Sequence, residues 1–405
     1  MAFRNKDCRI KVNEVNYGCQ KRIGSHNYTK LNGYKNQQNP MKNSTKLLIL
    51  LFLFYQSSYS QLKIVDDKTG EAVAFAHLII EGGKSGAISD INGIAPISEI
   101  EKRTVNLSSM ITIQHLGYDN LEISLKELKQ LMEVRLKERE ILLSDICVTP
   151  KDYDYVVLTG YFRSYQLDDR KLKYYTDGMV AYYFPRKGRK FQINLLAHRS
   201  FRNQTLIDQM KKRSATLVMV TAGIPYMDGN TILTDLDKKY TFSDTSSGLD
   251  ILKNNSKVGY IKLNSDEDKL LVNIDKILPA KEEVHSLLGY TSRIQHSEVT
   301  ENYLTDDIQN LRMDNLESCK KYREIFYSHK KDSAEVIIEG IDEFYVMERK
   351  YVTKKETKGI KFSSFSGLRE SHLYTDEYWK ELLRHGIPPL SRQIEDELNN
   401  VLTMY

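Results

Sequence analysis

The chain holds nine histidines, and none of them stands in a spacing that binds a catalytic zinc ion. No H-x-x-E or H-E-x-x-H occurs, so the ligand pair of a metallocarboxypeptidase or metalloprotease is missing. No G-x-S-x-G presents a serine nucleophile, and Gly83-Lys84-Ser85 is not a P-loop because position 78 is Leu. The sequence therefore nominates no catalytic, cofactor-binding or metal-binding residue. We expect a protein that is not an enzyme, with a hydrolase of unusual site as a distant alternative.

A few single residues could still do chemistry. Arg199 and Arg202 lie close to His198 in the sequence and could bind an anion, although the pattern favours a solvated charged loop. His115 stands at the end of a strand-like run and is interpreted as a sheet residue. Carboxylates are too numerous for any pair to be chosen as acid and base before geometry is known.

Residues 41–60 have the layout of a secretory signal peptide. Lys42 and Lys46 precede a nine-residue apolar run at 47–55, and small residues lead to a predicted cut between Ser60 and Gln61. A membrane-spanning helix needs about 20 apolar residues, so the run is too short to cross easily. We expect export and cleavage, with contact between this segment and the membrane only during export. A retained anchor at 47–60 and a buried helix are the alternatives.

Residues 1–40 are rich in Asn, Gln and basic side chains and show no apolar periodicity. They are either a disordered arm or an upstream extension that does not belong to the protein. Residues 1–60 carry ten basic and two acidic residues, so without them the charge of +5 becomes −3. A nucleic-acid partner is therefore not expected. Cys147 and Cys319 remain, either as one disulfide or as two buried thiols.

Short strand-like runs separated by turns fill residues 62–126. The runs at 62–65, 73–81, 86–89, 94–97, 105–107 and 110–115 are divided by Asp- and Gly-containing turns. Strands at roughly ten-residue spacing are typical of an all-β sandwich. The pattern predicts such a sandwich at 61–145.

This region resembles the carboxypeptidase-regulatory-like domain, through a D..TG turn, a G…S-D..G turn and a closing GY. The matching residues are Asp66, Thr69, Gly70, Gly86, Asp90, Gly93, Gly117 and Tyr118. The resemblance implies a seven-stranded prealbumin-like or Ig-like sandwich that serves folding and interaction and has no catalytic role. It also implies a place just after the signal peptide of a bacterial envelope protein. The zinc enzyme itself is not implied.

Residues 155–405 are predicted to form a larger antiparallel sheet with peripheral helices, after a boundary at 145–158. Strands are predicted at 156–166, 173–184, 257–263, 269–277 and 335–350, and helices at 204–214 and 394–402. A helix and polar loops are expected at 298–330. The fold class is therefore mainly β with some α+β character.

The sequence predicts an exported, non-enzymatic envelope protein in the periplasm or at the outer membrane, which acts as a scaffold or protein-interaction module. The alternative is a carrier whose second domain holds an apolar ligand against a curved sheet. The expected partners are accordingly envelope proteins or an apolar ligand.

Overall fold

The predicted sandwich at the front of the chain is present and has seven strands. A computed structural model describes residues 61–81, 84–139, 152–188, 190–211, 222–227, 229–234, 236, 240–245, 248–264, 268–277, 284–332, 334–363, 379, 382 and 385–405. The strands of the sandwich are β1 Gln61–Asp66, β2 His77–Ile80, β3 Lys84–Ile88, β4 Ile94–Pro96, β5 Met110–Gln114, β6 Leu121–Ser124 and β7 Glu133–Leu136.

These strands form two sheets, ordered β4-β1-β7 and β3-β2-β5-β6. Strands β1 and β7 are parallel, and the other pairs are antiparallel. Alternate residues of the facing strands interdigitate in one core, which includes Leu62, Ile64, Leu78, Ile111 and Ile113. Two short helices, α1 Ile97–Glu101 and α2 Leu125–Leu128, bury two apolar residues each in it.

The strand predicted at 105–107 is wrong. These residues form part of a loop between α1 and β5, and the Val105 side chain is 95% exposed. Among the described residues no strand pairs with this run, and both Val105 and Leu107 are exposed, so neither is a core residue.

The rest of the chain forms one large antiparallel sheet. The described residues contain β8 Tyr155–Asp168, β9 Lys171–Pro185, β10 Gln192–Arg202, β11 Tyr240–Thr245, β12 Gly248–Lys253, β13 Ser256–Asn264, β14 Lys269–Ile277, β15 Val284–Leu287, β16 Tyr290–Tyr303, β17 Leu316–His329, β18 Val336–Val352 and β19 Thr403–Met404. Their order is β11-β12-β13-β14-β16-β17-β18-β8-β9-β10-β19, with β15 paired to β16. Helices α3 Gln204–Lys211 and α4 Arg392–Asn400 lie at its periphery.

The helix and loops expected at 298–330 are wrong, because β16 and β17 occupy most of this stretch and only the segment between them is irregular. The fold class as a whole is confirmed: a β-sandwich precedes a larger antiparallel sheet with few helices. Of the predicted boundary at 145–158, residues 145–151 lie outside the described residues, and β8 begins within the remainder, at Tyr155. Sandwich and sheet both belong to one compact unit, Ser58–Tyr405.

The two faces of the large sheet differ in chemistry. The apolar face carries a large cluster that includes Phe162, Tyr182, Val272 and Phe344. Residues of the segments between the strands, among them Met227, cover this face. Among these covering residues, Met227 is buried, and the carbonyl of Pro225 accepts a 2.7 Å hydrogen bond from the Tyr182 hydroxyl.

The polar face carries charged residues at cross-strand positions, and parts of the sandwich and of the segment at 387–402 pack against it. Asp275 pairs with Glu298 in register, and Glu298 pairs with Tyr322. Phe75 and Ile88 of the sandwich pack on Leu271, and Ile394 packs on Tyr322. None of the described helices is long and apolar enough to cross a membrane.

Candidate functional site

The residues that resemble the carboxypeptidase-regulatory-like domain build turns. One carboxylate oxygen of Asp66 accepts hydrogen bonds from the backbone N–H groups of Lys68 and Thr69, at 2.8 and 2.7 Å. Gly70 then adopts a φ of +73°, which a residue with a Cβ adopts at a cost. The first part of the motif therefore closes the turn after β1.

The second turn works in the same way. The Asp90 carboxylate accepts hydrogen bonds from the N–H groups of Asn92 and Ile94, and Gly93 has a φ of +74°. A Cβ on Gly93 would lie 2.3 Å from the Ile64 carbonyl, so only glycine fits here. The Asp90 side chain is thus committed to the turn, as the sequence pattern predicts.

The remaining motif residues lie on or beside strands. A Cβ on Gly86, in β3, would lie 2.9 Å from the Ile100 side chain. The Gly117 N–H donates to Nδ1 of His115, and Tyr118 bridges to Glu138 beside β7. Of the two residues at the predicted cleavage point, Gln61 begins β1, whereas Ser60 lies outside the described residues.

One end of the sandwich exposes a group of apolar side chains. Val105 is 95% exposed and Met132 is 86% exposed. We call the group the apolar end and define it by Val105, Leu107, Met110, Leu131 and Met132. Most of the other exposed large hydrophobic residues are scattered along the large sheet and its connections. Contiguous exposed apolar patches mark contact surfaces, whereas apolar side chains exposed singly are normal.

Backbone hydrogen bonds fix each of the two segments of the apolar end to a neighbouring element of the sandwich. The N–H of Lys126 donates to the Leu107 carbonyl, and the N–H of Lys63 donates to the Met132 carbonyl, both at 2.9 Å. A capping box between Ser124 and Glu127 fixes the start of α2 between them. The exposed side chains are therefore presented by an ordered framework.

A buried charge cluster joins the sandwich to the large sheet. Arg103, which follows α1, forms an ion pair with Asp275 of β14 and lies 3.9 Å from Glu298 of β16. Nε2 of His296 lies 2.6 Å from the other Asp275 oxygen, and the Asn273 amide donates to Glu298 at 2.8 Å. We call Arg103, Asp275, His296 and Glu298 the clasp.

Burial and charge act in opposite directions within the clasp. Burial raises the pKa of Asp275, but the hydrogen bond with His296 and the charge of Arg103 outweigh burial, so the net pKa is lowered. Burial and the nearby Asp275 charge raise the pKa of Glu298. Asp275 is therefore the anionic partner of Arg103 at neutral pH.

The clasp also has the ligand types of a metal site. One ligand atom each from Asp275, His296 and Glu298 lies within 4.8 Å of the others. However, the Arg103 guanidinium already supplies positive charge to both carboxylates. We therefore assign the clasp a structural role in holding the two parts of the protein together.

A second buried ion pair lies on the polar face further along the sheet. Arg163 of β8 pairs with Glu343 of β18, and its Nη1 donates to the Pro388 carbonyl at 2.7 Å. The Tyr345 hydroxyl donates to the same carboxylate at 3.0 Å. Burial raises the pKa of Glu343, but the charges of Arg163 and Lys320 outweigh burial and lower the pKa to about 2. This carboxylate is a permanent anion and is unsuited to accept a proton near neutral pH.

The residues around His198 do not form the solvated loop that the sequence favours. They lie in β10, and Arg199 makes two hydrogen bonds of 2.7 and 2.9 Å to Asp177. The hydroxyls of Tyr161 and Tyr175 also donate to Asp177, which is fully buried. Because Asp177 already neutralises Arg199, we assign this ion pair a structural role in the sheet.

The large sheet also has a cleft of about 350 Å³ at one edge of its apolar face. Val156, Phe184 and Met313 line its inner part, and Arg186 and Arg312 line its rim. We call it the edge cleft. Val156, Phe184 and Arg186 lie more than 100 positions before Arg312 and Met313, so no local motif brings the two groups together.

No family model matches this chain, and no curated protein matches it. Among solved structures, the chain is similar to one described as lipid-protein interactions in lipovitellin, with a TM-score of 0.26 and 10% identity. The match covers 49% of this chain and 25% of that chain. A likeness of this size carries no argument about fold or function.

Proposed function

We propose that this chain is an exported, non-enzymatic protein of the bacterial envelope whose sandwich binds another envelope protein through the apolar end. The observation that carries the proposal is the concentration of exposed apolar side chains on one ordered end of the sandwich. Protein interfaces have an apolar centre, and contiguous exposed apolar patches mark such contact sites. The resemblance to the carboxypeptidase-regulatory-like domain agrees with an interaction role.

The large sheet supports the scaffold part of this proposal. Its apolar face is covered by the chain itself, and its polar face is tied to the sandwich through the clasp. The sandwich is thereby held on a broad sheet by a buried ion pair and by the packing of Phe75 and Ile88 on Leu271. A fixed orientation favours binding, because less freedom is lost when the partner docks.

The alternative of an apolar-ligand carrier has less support. The apolar face that would hold such a ligand is covered by residues of the connecting segments, such as Ile224, Met227 and Met313. The edge cleft holds about 350 Å³ and is lined by polar and charged residues as well as apolar ones. We therefore keep the interaction scaffold as the first proposal.

The binding proposal is tested by changing Val105 and Met132 together to Ser. Affinity purification from the native envelope, followed by quantitative mass spectrometry, should show one discrete protein with the unchanged chain and its loss with the double variant. Leu288→Ser is the matched control, because Leu288 is 81% exposed and lies in the turn between β15 and β16. Equal recovery of the same proteins with all three chains would contradict the proposal.

The export proposal has its own test. N-terminal sequencing of the protein from its native source should begin at Gln61, either directly or after removal of a cyclised glutamine. A cytoplasmic product that retains residues 1–60 would contradict export and leave the binding proposal to be judged separately.

A further inference from the structure

The large sheet covers one of its two edges and leaves the other open. At the covered edge, the N–H of Ser363 donates to the Ile193 carbonyl of β10, and the N–H of Tyr405, beside β19, donates to the Ser200 carbonyl. At the opposite edge lies β11 Tyr240–Thr245, which within the described ranges pairs with β12 alone. We call the side of β11 that faces away from β12 the open edge.

The side chains of β11 are accessible along the open edge. All residues from Thr241 to Thr245 are exposed, and Phe242 is 50% exposed. An edge strand carries backbone N–H and C=O groups that can pair with another strand, and proteins commonly block such an edge with Lys, Pro, a bulge or a covering segment. β11 contains no Lys or Pro, and its register with β12 is regular over all six residues. Within the described part of the chain, the open edge therefore lacks the usual protection against strand addition.

The residues of β11 complement a second copy of the same strand. When two copies run antiparallel about a two-fold axis at Phe242, the two Phe242 side chains lie opposite each other. Tyr240 then lies opposite Asp244 of the second copy on the same face, and Thr241 lies opposite Ser243 on the other face. Aromatic pairs across two strands stabilise a sheet, and a tyrosine hydroxyl can donate to a carboxylate. The strand therefore matches itself in this register.

Charge also favours this pairing. The ammonium groups of Lys253 and Lys276 lie 5.4 and 5.6 Å from the centre of the Tyr240 ring. Asp244 of the second copy faces Tyr240 in this register, so its carboxylate approaches both cations. The two-fold axis repeats the contact, and opposite charges therefore meet at both ends of the paired strands.

We propose that a second copy of this chain adds its β11 to the open edge in antiparallel register about Phe242, so that the large sheets of the two copies join. Strand addition is a recurring mode of recognition, because backbone hydrogen bonds supply affinity and side chains supply specificity. The six residues of each strand make a small interface, so we expect a weak dimer that forms at micromolar or higher concentration. The dimer uses the large sheet and not the apolar end, so it goes beyond the interaction role proposed above.

Sedimentation velocity over micromolar to submillimolar concentrations tests the association. The unchanged chain should shift from monomer to dimer as its concentration rises. Phe242→Lys should raise the dissociation constant at least tenfold, because two lysines then lie opposite each other across the two-fold axis. Leu288→Lys is the matched control, since it makes the same kind of change at an exposed residue in the turn between β15 and β16. It should change the dissociation constant by less than about threefold, as expected for screened surface charge.

A cysteine at position 242 tests the register. In the proposed dimer the two Cα atoms at this position lie within the separation of about 7 Å that a disulfide can span. Phe242→Cys should therefore give a disulfide-linked dimer on mild oxidation, measured by non-reducing electrophoresis. Thr245→Cys is the control on the same strand, because its two copies would lie about 20 Å apart at about 3.3 Å per residue. The unchanged chain gives the background from its own cysteines.

Three results would overturn the proposal. One is a chain that stays monomeric at every concentration, which would leave the open edge to a different partner. Another is equal weakening of the dimer by Phe242→Lys and Leu288→Lys, and the third is a yield of crosslinked dimer from position 242 no greater than that from position 245. Circular dichroism of each variant distinguishes a loss of association from a loss of fold. The double change of Val105 and Met132 to Ser should leave the dimer intact, so this test and that of the apolar end fail independently.

Discussion

Removal of the Arg103 side chain should weaken the joint between the sandwich and the large sheet. Arg103 is 10% exposed and its partner Asp275 is 18% exposed, so the pair is largely withdrawn from water. In the Arg103→Met variant a side chain of similar length remains, but Asp275 and Glu298 lose their shared cation. The cost is the desolvation of acids that no longer have a charged partner.

Breaking a buried ion pair by removing one member costs about 3–5 kcal/mol of folding free energy. Because the Arg103–Asp275 pair is partly exposed, we expect a cost of about 3 kcal/mol. Urea unfolding followed by far-UV circular dichroism at pH 7 measures the loss. Lys102→Met is the control, because Lys102 is 67% exposed and forms a surface ion pair with Glu99. That pair should contribute about 0–1 kcal/mol.

The difference between the Arg103→Met variant and the unchanged protein should depend on pH. The folded-state pKa of Asp275 is lowered, so its contribution is fully present above the ordinary aspartate pKa of about 4 and is lost as the pH falls through the lowered value. The difference between the two proteins should therefore begin to shrink as the pH falls below about 4 and should vanish only below the lowered pKa of Asp275. If Arg103→Met costs no more than Lys102→Met at pH 7, the clasp does not hold the two parts together.

Three further substitutions test the fold. Gly86→Ala should lower the free energy of unfolding by about 1–3 kcal/mol in urea titration, because its Cβ would crowd Ile100; an unchanged midpoint would contradict the close packing. Ser89→Ala should cost about 1–3 kcal/mol in the same assay, since the buried hydroxyl both donates to and accepts from the backbone, whereas Ser108→Ala at an exposed loop should cost little. Burial, followed by the positive charge of Lys320, lowers the pKa of His77 from 6.5 to about 3, so stability should fall as the pH drops from 6.5 towards 3. His77→Gln should flatten this dependence, and equal slopes for the two proteins would refute it.

The sandwich was predictable because its turns carry local signals. Asp66 with Gly70 and Asp90 with Gly93 each combine a carboxylate that accepts backbone N–H groups with a glycine at positive φ. Such turns depend on a few adjacent residues, so the sequence alone specifies them. The strand predicted at 105–107 is in fact a loop, because a pattern of apolar residues does not distinguish an exposed side chain such as Val105 from a buried one.

The large sheet was predicted where its strands are apolar and missed where they are charged. The predicted strand at 269–277 coincides with β14, whereas β17 was taken for a helix and loops. Charged residues such as Lys320 and Glu324 do not indicate a strand in the sequence, but in β17 they lie on the polar face of the sheet. Lys320 finds its partner in Glu343 of the next strand, and a distant pairing of this kind has no local signal.

The candidate sites were even less accessible from sequence. Arg103 and Asp275 are 172 positions apart. Arg186 and Arg312 line the same cleft although they are also more than 100 positions apart. Motif searches find residues at fixed short spacing, so they detect catalytic signatures and miss such assemblies. The resemblance to the carboxypeptidase-regulatory-like domain extends only over the front of the chain. It predicts neither the clasp nor the edge cleft.

The central proposal is that the apolar end contacts a protein partner. Its most direct test places a photo-crosslinking amino acid at Met132 in the native host, with a second chain that carries it at Leu288 as the exposed control. Irradiation should yield one discrete crosslinked envelope protein from position 132 and none from position 288. No crosslink at 132, or the same products from both positions, would contradict the proposed interaction surface.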